Sequence, residues 1–270
     1  MFGKRLLLLL LPALAIEGVA WHTEPHQRIT FAAIDSLPPT MQERLGSEME
    51  SLVKVYCMYP DRYRELSRPG PDLKHNPGPD DRSVMRIYCE TPRGKLIHNV
   101  TWNRQEDLEA ITYLLNSIIA EVRRDNPAGA ACYMGTLAHL FEDSTSPAHA
   151  TDLSLIQELL PPPKAPAYVS RVDAAGHKIG LHAAIELTTA AFRLDGTPKP
   201  AGGNVSDAAT ELLKRCYAII RDNRAHLLEM VRATYADDRP VMERLRSRAA
   251  KQGAQLLADA YYTALLLADD

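Results

Sequence analysis

The chain has 270 residues, a formal net charge of −3 and four cysteines. This length suffices for one domain with a full hydrophobic core, and the charge excludes the basic footprint that binding to duplex nucleic acid requires. The cysteines show no C-x-x-C spacing, so a cysteine zinc site is not indicated.

The first twenty residues have the pattern of a secretory signal. Lys4 and Arg5 precede an apolar run at 6–16, which is shorter than the ~20 residues that a membrane span needs. Gly18 and Ala20 supply the small residues of a cleavage site. The sequence therefore predicts a cleaved signal peptide at 1–20, a secreted or periplasmic protein, and Trp21 as the new N-terminus. An uncleaved anchor is the alternative.

The segment 21–270 has almost only helical patterns. Apolar residues recur at helical spacing after Pro25 and at 108–122, 128–141, 179–192, 206–234 and 240–267. One strand-like patch, SVMRIYC at 83–89, precedes the turn TPRGK. Segments rich in Pro and Gly at 67–81, 161–167 and 195–204 predict loops. The predicted fold class is all-α, a single domain with an orthogonal or bundle-like core.

The stretch AHLFEDSTSPAH at 138–149 carries the strongest chemical pattern. His139 and Asp143 are four residues apart, so they share one face of a helix. A helix break at 144–147 lets His149 fold back towards that face. Imidazole nitrogens and carboxylate oxygens at these spacings suit zinc or a similar borderline metal.

Two weaker patterns add candidate ligands. His182 and Glu186 are also four residues apart, on an otherwise apolar helix, although such a pair usually lies on a solvated face. The α-amino group of a freed Trp21 has a pKa near ~7.7–8.0, and its neutral form can bind a metal. The carbonyl oxygen of Trp21 can close the chelate, and His26 follows five residues later.

Together these motifs resemble the tri-zinc superfamily of bacterial phospholipases C and fungal single-strand nucleases. The order of Trp21, His26, H-x3-D-x5-H and H-x3-E is similar to that family over nearly the whole of 21–270. The closing segment RLRSRAAKQGAQLLADAYYTALL resembles its last helix. The resemblance implies a helical domain of the phospholipase C/single-strand nuclease type, about three Zn²⁺ per chain, and a zinc-dependent phosphoric diester hydrolase.

The family pattern asks for one aspartate and one histidine between His26 and His139. Asp61 in YPDRYR fits the aspartate, because a Pro-Asp pair at a helix end resembles the family's. His98 in LIHNV is favoured for the histidine, since it shortly precedes the helix that leads to His139. His75, in the loop at 67–81, stays the alternative.

The resemblance then implies a division of the ligands among three zinc sites. These are Asp61, His98, His139 and Asp143; then His149, His182 and Glu186; and then the Trp21 amine and carbonyl with His26 and a bridging Asp143. It also implies attack on a phosphodiester by a zinc-activated water, with Asp61 doubling as the base that orients or deprotonates this water.

Other polar and aromatic residues receive ordinary structural interpretations. We expect solvated side chains at Glu142 and Asp152, surface or core positions for His22, His177 and His226, and core positions for Trp102 and Tyr113. Tyr59 and Tyr63 are equally candidates for a pocket around a choline headgroup and for the core. An exported chain allows disulfides, and a Cys57–Cys89 pair is one guess.

The identity of the phosphodiester rests on conflicting signals. Glu186 resembles the phospholipases, because the nucleases tend to carry aspartate there, whereas the short interval from Trp21 to His26 resembles the nucleases. Aromatic residues make up 6% of the chain, which is few for the base-stacking platforms of a nuclease. We therefore expect a phospholipase C-like enzyme that acts on a phospholipid or another phosphodiester.

Two alternatives remain. One is a nuclease of the same superfamily that acts on single-stranded nucleic acid. The other is a non-catalytic secreted helical protein with structural zinc.

Overall fold

The computed structural model describes residues 23–66, 82–164, 166, 168, 180–186 and 191–270. Its helices are, in chain order, α1 (Thr23–Asp35), α2 (Pro39–Leu45), α3 (Glu48–Lys54), α4 (Tyr59–Leu66), α5 (Arg82–Cys89), α6 (Arg104–Arg123), α7 (Pro127–Thr145), α8 (Leu153–Leu159), α9 (Leu181–Ile185), α10 (Val205–Ala236) and α11 (Arg239–Leu267). In these residues the only β-structure is an isolated antiparallel bridge between Glu90 and Leu96. The all-α prediction is confirmed.

Side-chain caps start five of these helices. The N-cap oxygens that accept a backbone N–H belong to Asn103 (α6), Asn126 (α7), Asp152 (α8), Asn204 (α10) and Asp238 (α11). Each cap satisfies a backbone donor that has no partner inside its helix. The sequence periodicity therefore located α6, α7, α10 and α11 to within a few residues, and the loop at 195–204 is non-helical as predicted.

Helix α7 lies at the centre of the main hydrophobic core. Nearly every residue from Gly129 to its end is buried, and α7 packs against α1, α3, α6, α10, α11 and a short 3-10 helix at Tyr56–Met58. A Cβ atom on Gly135 would lie 2.4 Å from the backbone carbonyl carbon of Tyr56, so this close approach requires glycine. The side chains on the last turns of α7 are therefore enclosed by several helices.

A second hydrophobic cluster supports the short helix α9. Leu181, Ala184 and Ile185 of α9 are buried in it, together with Leu227 of α10 and Leu245 of α11. Helices α10 and α11 are separated by only Asp237 and Asp238 and pack against each other. This cluster fixes α9 beside the C-terminal end of α7.

The strand-like patch at 83–89 is helical, so that prediction was wrong. The residues that α5 buries are Met85 and Cys89, which are four apart, whereas Val84 and Ile87 are 44% and 57% exposed. Val84 and Ile87 therefore point away from the core, and the buried spacing is that of a helix.

The helix predicted at 179–192 is shorter than expected. Helix α9 ends at Ile185, and the chain is non-helical again at 191–194. Phe192 and Leu194, two residues apart, both pack against the main core, which an extended backbone allows and a helix does not.

The predicted signal peptide at 1–20 and the loop at 67–81 lie outside the described residues. Within the described residues, no helix has both the length and the apolar character that a bilayer crossing needs.

Candidate metal centre

The end of α7 carries two candidate ligands and turns the chain towards a third. His139 and Asp143 occupy successive turns, with His139 Nε2 3.6 Å from Asp143 Oδ2. The helix ends at Thr145, and the Ser146 hydroxyl caps the following 3-10 helix at Pro147–His149. This turn brings His149 Nε2 to 3.9 Å from Asp143 Oδ1, so the predicted return of His149 to the helix face is observed.

Three groups of side chains bring their nitrogen and oxygen atoms close enough to hold a metal ion. They are the α4 group (Asp61, His98 and His139), the α1 group (His26, His139 and Asp143) and the α9 group (His149, His182 and Glu186). In each group the ligand atoms lie within 4.8 Å of one another. All eight predicted ligands that the structure describes belong to one of these groups.

The α4 group forms where the first turn of α4 meets the chain after α5. His98 Nε2 lies 2.8 Å from Asp61 Oδ1, and its Nδ1 lies 3.0 Å from Asp143 Oδ2. The backbone N–H of Val100 donates a 3.0 Å hydrogen bond to the Ser144 hydroxyl, which holds this segment against α7. His98 therefore bridges the two carboxylates.

The α1 group joins the first helix to α7. His26 Nε2 lies 3.3 Å from Asp143 Oδ1, and the His26 ring stacks on His139. Asp143 thus lies within 4 Å of histidines from the α4 group, the α1 group and the α9 group. The resemblance implies Asp143 as the bridge between two zinc sites, whereas the residue that belongs to two of the observed groups is His139.

The α9 group lies beside the turn that follows α7 and carries His149. Glu186 lies 3.2 Å from His149 Nε2 and 2.9 Å from His182 Nε2, and it accepts a 2.8 Å hydrogen bond from the Ser146 hydroxyl. Arg246 donates to the carbonyls of residues 184 and 185 at the end of α9. These bonds fix the helix that carries two of the three ligands.

The lack of a hydrogen-bond partner at one buried atom, His139 Nε2, indicates that these residues suit a metal ion. Among the described residues, His139 Nε2 is one of three buried side-chain nitrogen or oxygen atoms without a hydrogen-bond partner. Its other nitrogen, Nδ1, bonds to the Cys57 carbonyl at 2.9 Å, so Nε2 is the free acceptor. Nε2 lies 3.8 Å from Asp61 Oδ1 and 3.6 Å from Asp143 Oδ2. Two ligand atoms of a tetrahedral Zn²⁺ lie about 3.4 Å apart, so the donor set fits.

The charges of the centre also favour cation binding. Burial lowers the pKa of His139 to about 4, so its imidazole is neutral and can bind a metal. Burial alone would raise the pKa of Asp143, but the neighbouring His139 and His149 hold it well below its usual range. Burial likewise opposes ionisation of Asp61, but the hydrogen bond from His98 and the charges of His139 and Arg64 together outweigh it and lower the pKa. Both carboxylates are therefore ionised in a buried setting that a dication would neutralise.

Glu142 is buried, and the expectation of a solvated side chain was wrong. It is 2% exposed, accepts from His26 Nδ1 at 2.7 Å, and accepts from the Thr30 hydroxyl at 2.6 Å. No local sequence pattern indicates this contact, because it depends on how α1 crosses α7. Asp152, by contrast, is exposed and caps α8.

Trp102 is 49% exposed and not a core residue, which corrects a second expectation. Its ring stacks on Tyr217 with centroids 5.5 Å apart, and the Arg224 guanidinium lies 4.8 Å from its centroid. Arg224 also donates to the carbonyl of Ala150, next to His149. Arg224 therefore contacts both the exposed Trp102 ring and the backbone of the residue that follows His149.

The remaining predicted residues divide between core and surface. Tyr59 and Tyr63 are buried in a small cluster with Met85, so the structure favours the core over a headgroup pocket. Tyr113 packs against the main core as predicted. His226 lies 3.6 Å from Glu229, outside the three groups.

The remaining sequence expectations concern one disulfide and four individual residues. All four cysteines are free and buried, so the guessed Cys57–Cys89 disulfide is absent. Trp21, His22, His75 and His177 lie outside the described residues.

A small cavity of about 50 Å³ lies between the α1 group and Glu186 of the α9 group. It is lined by His26 and Asp143, by Glu142, Glu186 and Ser146, and by the buried Arg246. Because His149 Nε2 also lies 3.9 Å from Asp143 Oδ1, the α1 group and the α9 group adjoin each other.

Comparison of the chain with protein-family models, curated proteins and solved structures found no match.

Proposed function

We propose that this protein is a secreted zinc-dependent phosphodiesterase of the phospholipase C type. The single observation that carries the proposal is the unpartnered Nε2 of His139, which is buried between two ionised carboxylates at ligand-to-ligand distances. A buried polar atom without a partner costs ~1–3 kcal/mol. Metal binding would satisfy it.

Three metal groups in one centre suit phosphodiester chemistry. When bound, zinc ions neutralise charge on the phosphoryl oxygens and lower the pKa of a coordinated water. In the proposed enzyme, the α4, α1 and α9 groups would each hold one ion, and the amine of Trp21 would complete the α1 group after removal of the signal peptide.

Residues around the α4 group would orient the attacking water and the substrate. Asp61 is ionised and lies beside His98, so it can accept a proton or hold the water by a hydrogen bond. Arg64 pairs with Asp61 at 2.7 Å, and 38% of its side chain is exposed. It adds a fixed positive charge where a phosphate would enter. Glu186 supports the phospholipase assignment through its resemblance to the family pattern.

The test measures metal content and hydrolysis together. Protein that starts at Trp21, purified from chelator-treated buffers, should contain about three zinc ions per chain and should release diacylglycerol from phosphatidylcholine vesicles. Removal of zinc should abolish the release, and added zinc should restore it. Zinc content near zero would contradict the proposal. Bound zinc without hydrolysis of phosphatidylcholine, single-stranded DNA or RNA would favour a structural metal.

A single-strand nuclease is a second candidate, which the exposed Trp102 favours. A base can stack on an aromatic ring beside an arginine, and such stacking is worth about 1–3 kcal/mol per base. A W102A variant separates the two functions. In a nuclease it should raise KM for single-stranded DNA about tenfold or more, whereas hydrolysis of a small soluble phosphocholine ester by a phospholipase should change little.

A further inference from the structure

We propose that Glu142 is a positioning residue for the α1 group. Glu142 fixes the His26 ring so that Nε2 of this ring faces the metal position beside Asp143. The inference rests on the proposed metal binding. It does not depend on which phosphodiester is hydrolysed.

The carboxylate of Glu142 ties two helices together at this point. Its Oε2 accepts from His26 Nδ1 at 2.7 Å, and its Oε1 accepts from the Thr30 hydroxyl at 2.6 Å. Thr30 follows His26 by one turn of α1, while Glu142 directly precedes Asp143 on α7. The two helices therefore present one histidine to two neighbouring acids on opposite edges of its ring.

The two edges of the His26 ring have different functions. An imidazole can offer only one nitrogen to a given metal ion, and the partner of the other nitrogen sets the tautomer and the orientation of the ring. Here Nδ1 is bound by Glu142, so Nε2 is the nitrogen that points at Asp143, 3.3 Å away. The two oxygens of Glu142 are engaged by His26 Nδ1 and by the Thr30 hydroxyl, so Glu142 is a support and not a ligand.

Comparison with His139 shows what the carboxylate adds. His139 Nδ1 bonds to a neutral acceptor, the Cys57 carbonyl, at 2.9 Å. His26 has an acidic side chain in the same position, and a carboxylate partner makes the imidazole a stronger donor to a metal. We therefore expect the α1 group to depend on Glu142 more than the α4 group depends on any side chain behind His139.

A purely structural role explains Glu142 poorly. Glu142 and Thr30 are 2% and 0% exposed, and a buried ionic contact is often no more stabilising than apolar residues of similar size. A leucine and a valine would pack the two helices at a lower desolvation cost. A contact that orients a metal ligand gives the buried acid a function that packing does not.

The experiment measures zinc affinity in the E142Q variant. Metal-free protein is titrated with Zn²⁺ against a chromophoric chelator, and binding is resolved into its separate steps. In the wild type we expect about three steps. In E142Q one step should weaken by about 10- to 100-fold while the others stay unchanged. T30V, which removes one hydrogen bond from Glu142 without touching His26, should weaken the same step by less.

The control is D259N, a buried acid that belongs to none of the three groups and whose partners include the Lys199 backbone N–H and Arg215. It should keep the wild-type zinc profile even if its melting temperature falls. Wild-type zinc affinity in both E142Q and T30V would overturn the inference, whatever their melting temperatures. If E142Q fails to fold, an unchanged zinc profile in T30V overturns it alone. Zinc binding without hydrolysis in the wild type would instead overturn the proposed function and leave this inference intact.

Discussion

The imidazole rings of His26 and His139 stack with their centroids 4.7 Å apart and their planes 14° apart. They come from the first helix and from the central helix, and they meet above Asp143. His139 therefore belongs to both the α4 group and the α1 group. The centre is a set of overlapping groups, and its members should not respond equally to mutation.

Replacement of His139 should remove more metal than replacement of His182. His139 Nε2 lies within ligand distance of two groups but can bind only one ion, and the His139 ring also stacks on His26 of the α1 group. His182 belongs to the α9 group alone. We expect H139A to lose one of about three zinc ions and to hold a second less tightly, because His26 loses the ring on which it stacks, and we expect H182A to lose one ion only, as measured by elemental analysis of folded protein. Equal losses in the two variants would show that the groups bind independently of the shared histidine. Circular dichroism confirms that each variant keeps its helices.

The anchoring of α9 by Arg246 leads to a second prediction. Arg246 is 9% exposed, and it donates to the carbonyls of Ile185 at 2.7 Å and Ala184 at 2.5 Å. A lysine cannot reproduce this two-point contact, because its charge sits on a single nitrogen. We expect R246K to weaken zinc binding in the α9 group by about 10- to 100-fold.

The matched control for this variant is R244K. Arg244 is mostly exposed and pairs with Glu229 on the surface. The R244K variant should bind zinc as the wild type does. A normal zinc titration of R246K would mean that the hydrophobic cluster alone positions α9.

Local sequence spacing predicted the parts of the centre that lie on one helix or one turn. His139 and Asp143 follow from the helical repeat, and the return of His149 follows from the break after them. Trp102 was predicted to lie in the core, but its side chain is 49% exposed and its backbone has φ 65°. Asp107 holds this conformation by accepting from the backbone and hydroxyl of Thr101. No pattern in the sequence predicts such hydrogen bonds.

Contacts between distant helices account for the other errors. Glu142 is 116 residues from His26, so its burial depends on how α1 crosses α7 and not on its neighbours in the chain. The strand-like patch failed for a related reason. The packing of α5 against its neighbours buries Met85 and Cys89, which are one helical turn apart, and the letters of the patch do not show this packing.

The four free cysteines give a third prediction, on thiol reactivity. Burial raises the pKa of Cys89, Cys132 and Cys216 to about 12, and that of Cys57 well above its ordinary value. The thiolate is the reactive form. The native protein at pH 8 should therefore react very slowly with Ellman's reagent, and all four thiols should react after unfolding without reductant. Two reactive thiols after unfolding would reveal a disulfide and contradict the free-cysteine arrangement.

The close approach at Gly135 gives a fourth prediction, which links packing to metal binding. A Cβ atom at this position would lie 2.4 Å from the backbone carbonyl carbon of Tyr56 and 2.5 Å from its oxygen. The next residue, Cys57, supplies the carbonyl that orients His139. G135A should therefore push the 3-10 helix away from α7 and release the His139 ring. Overpacking of this kind costs about 1–3 kcal/mol of unfolding free energy.

The expected result has two parts, a lower melting temperature and weaker zinc binding in the two groups that share His139. The control is G203A, because nothing lies within 4 Å of a Cβ atom built on Gly203. A G135A variant that loses stability but binds zinc normally would show that the Cys57 carbonyl is not needed to orient His139. Since the added methyl group lies one turn before His139 and touches no ligand, any selective loss of zinc must arise from this displaced carbonyl.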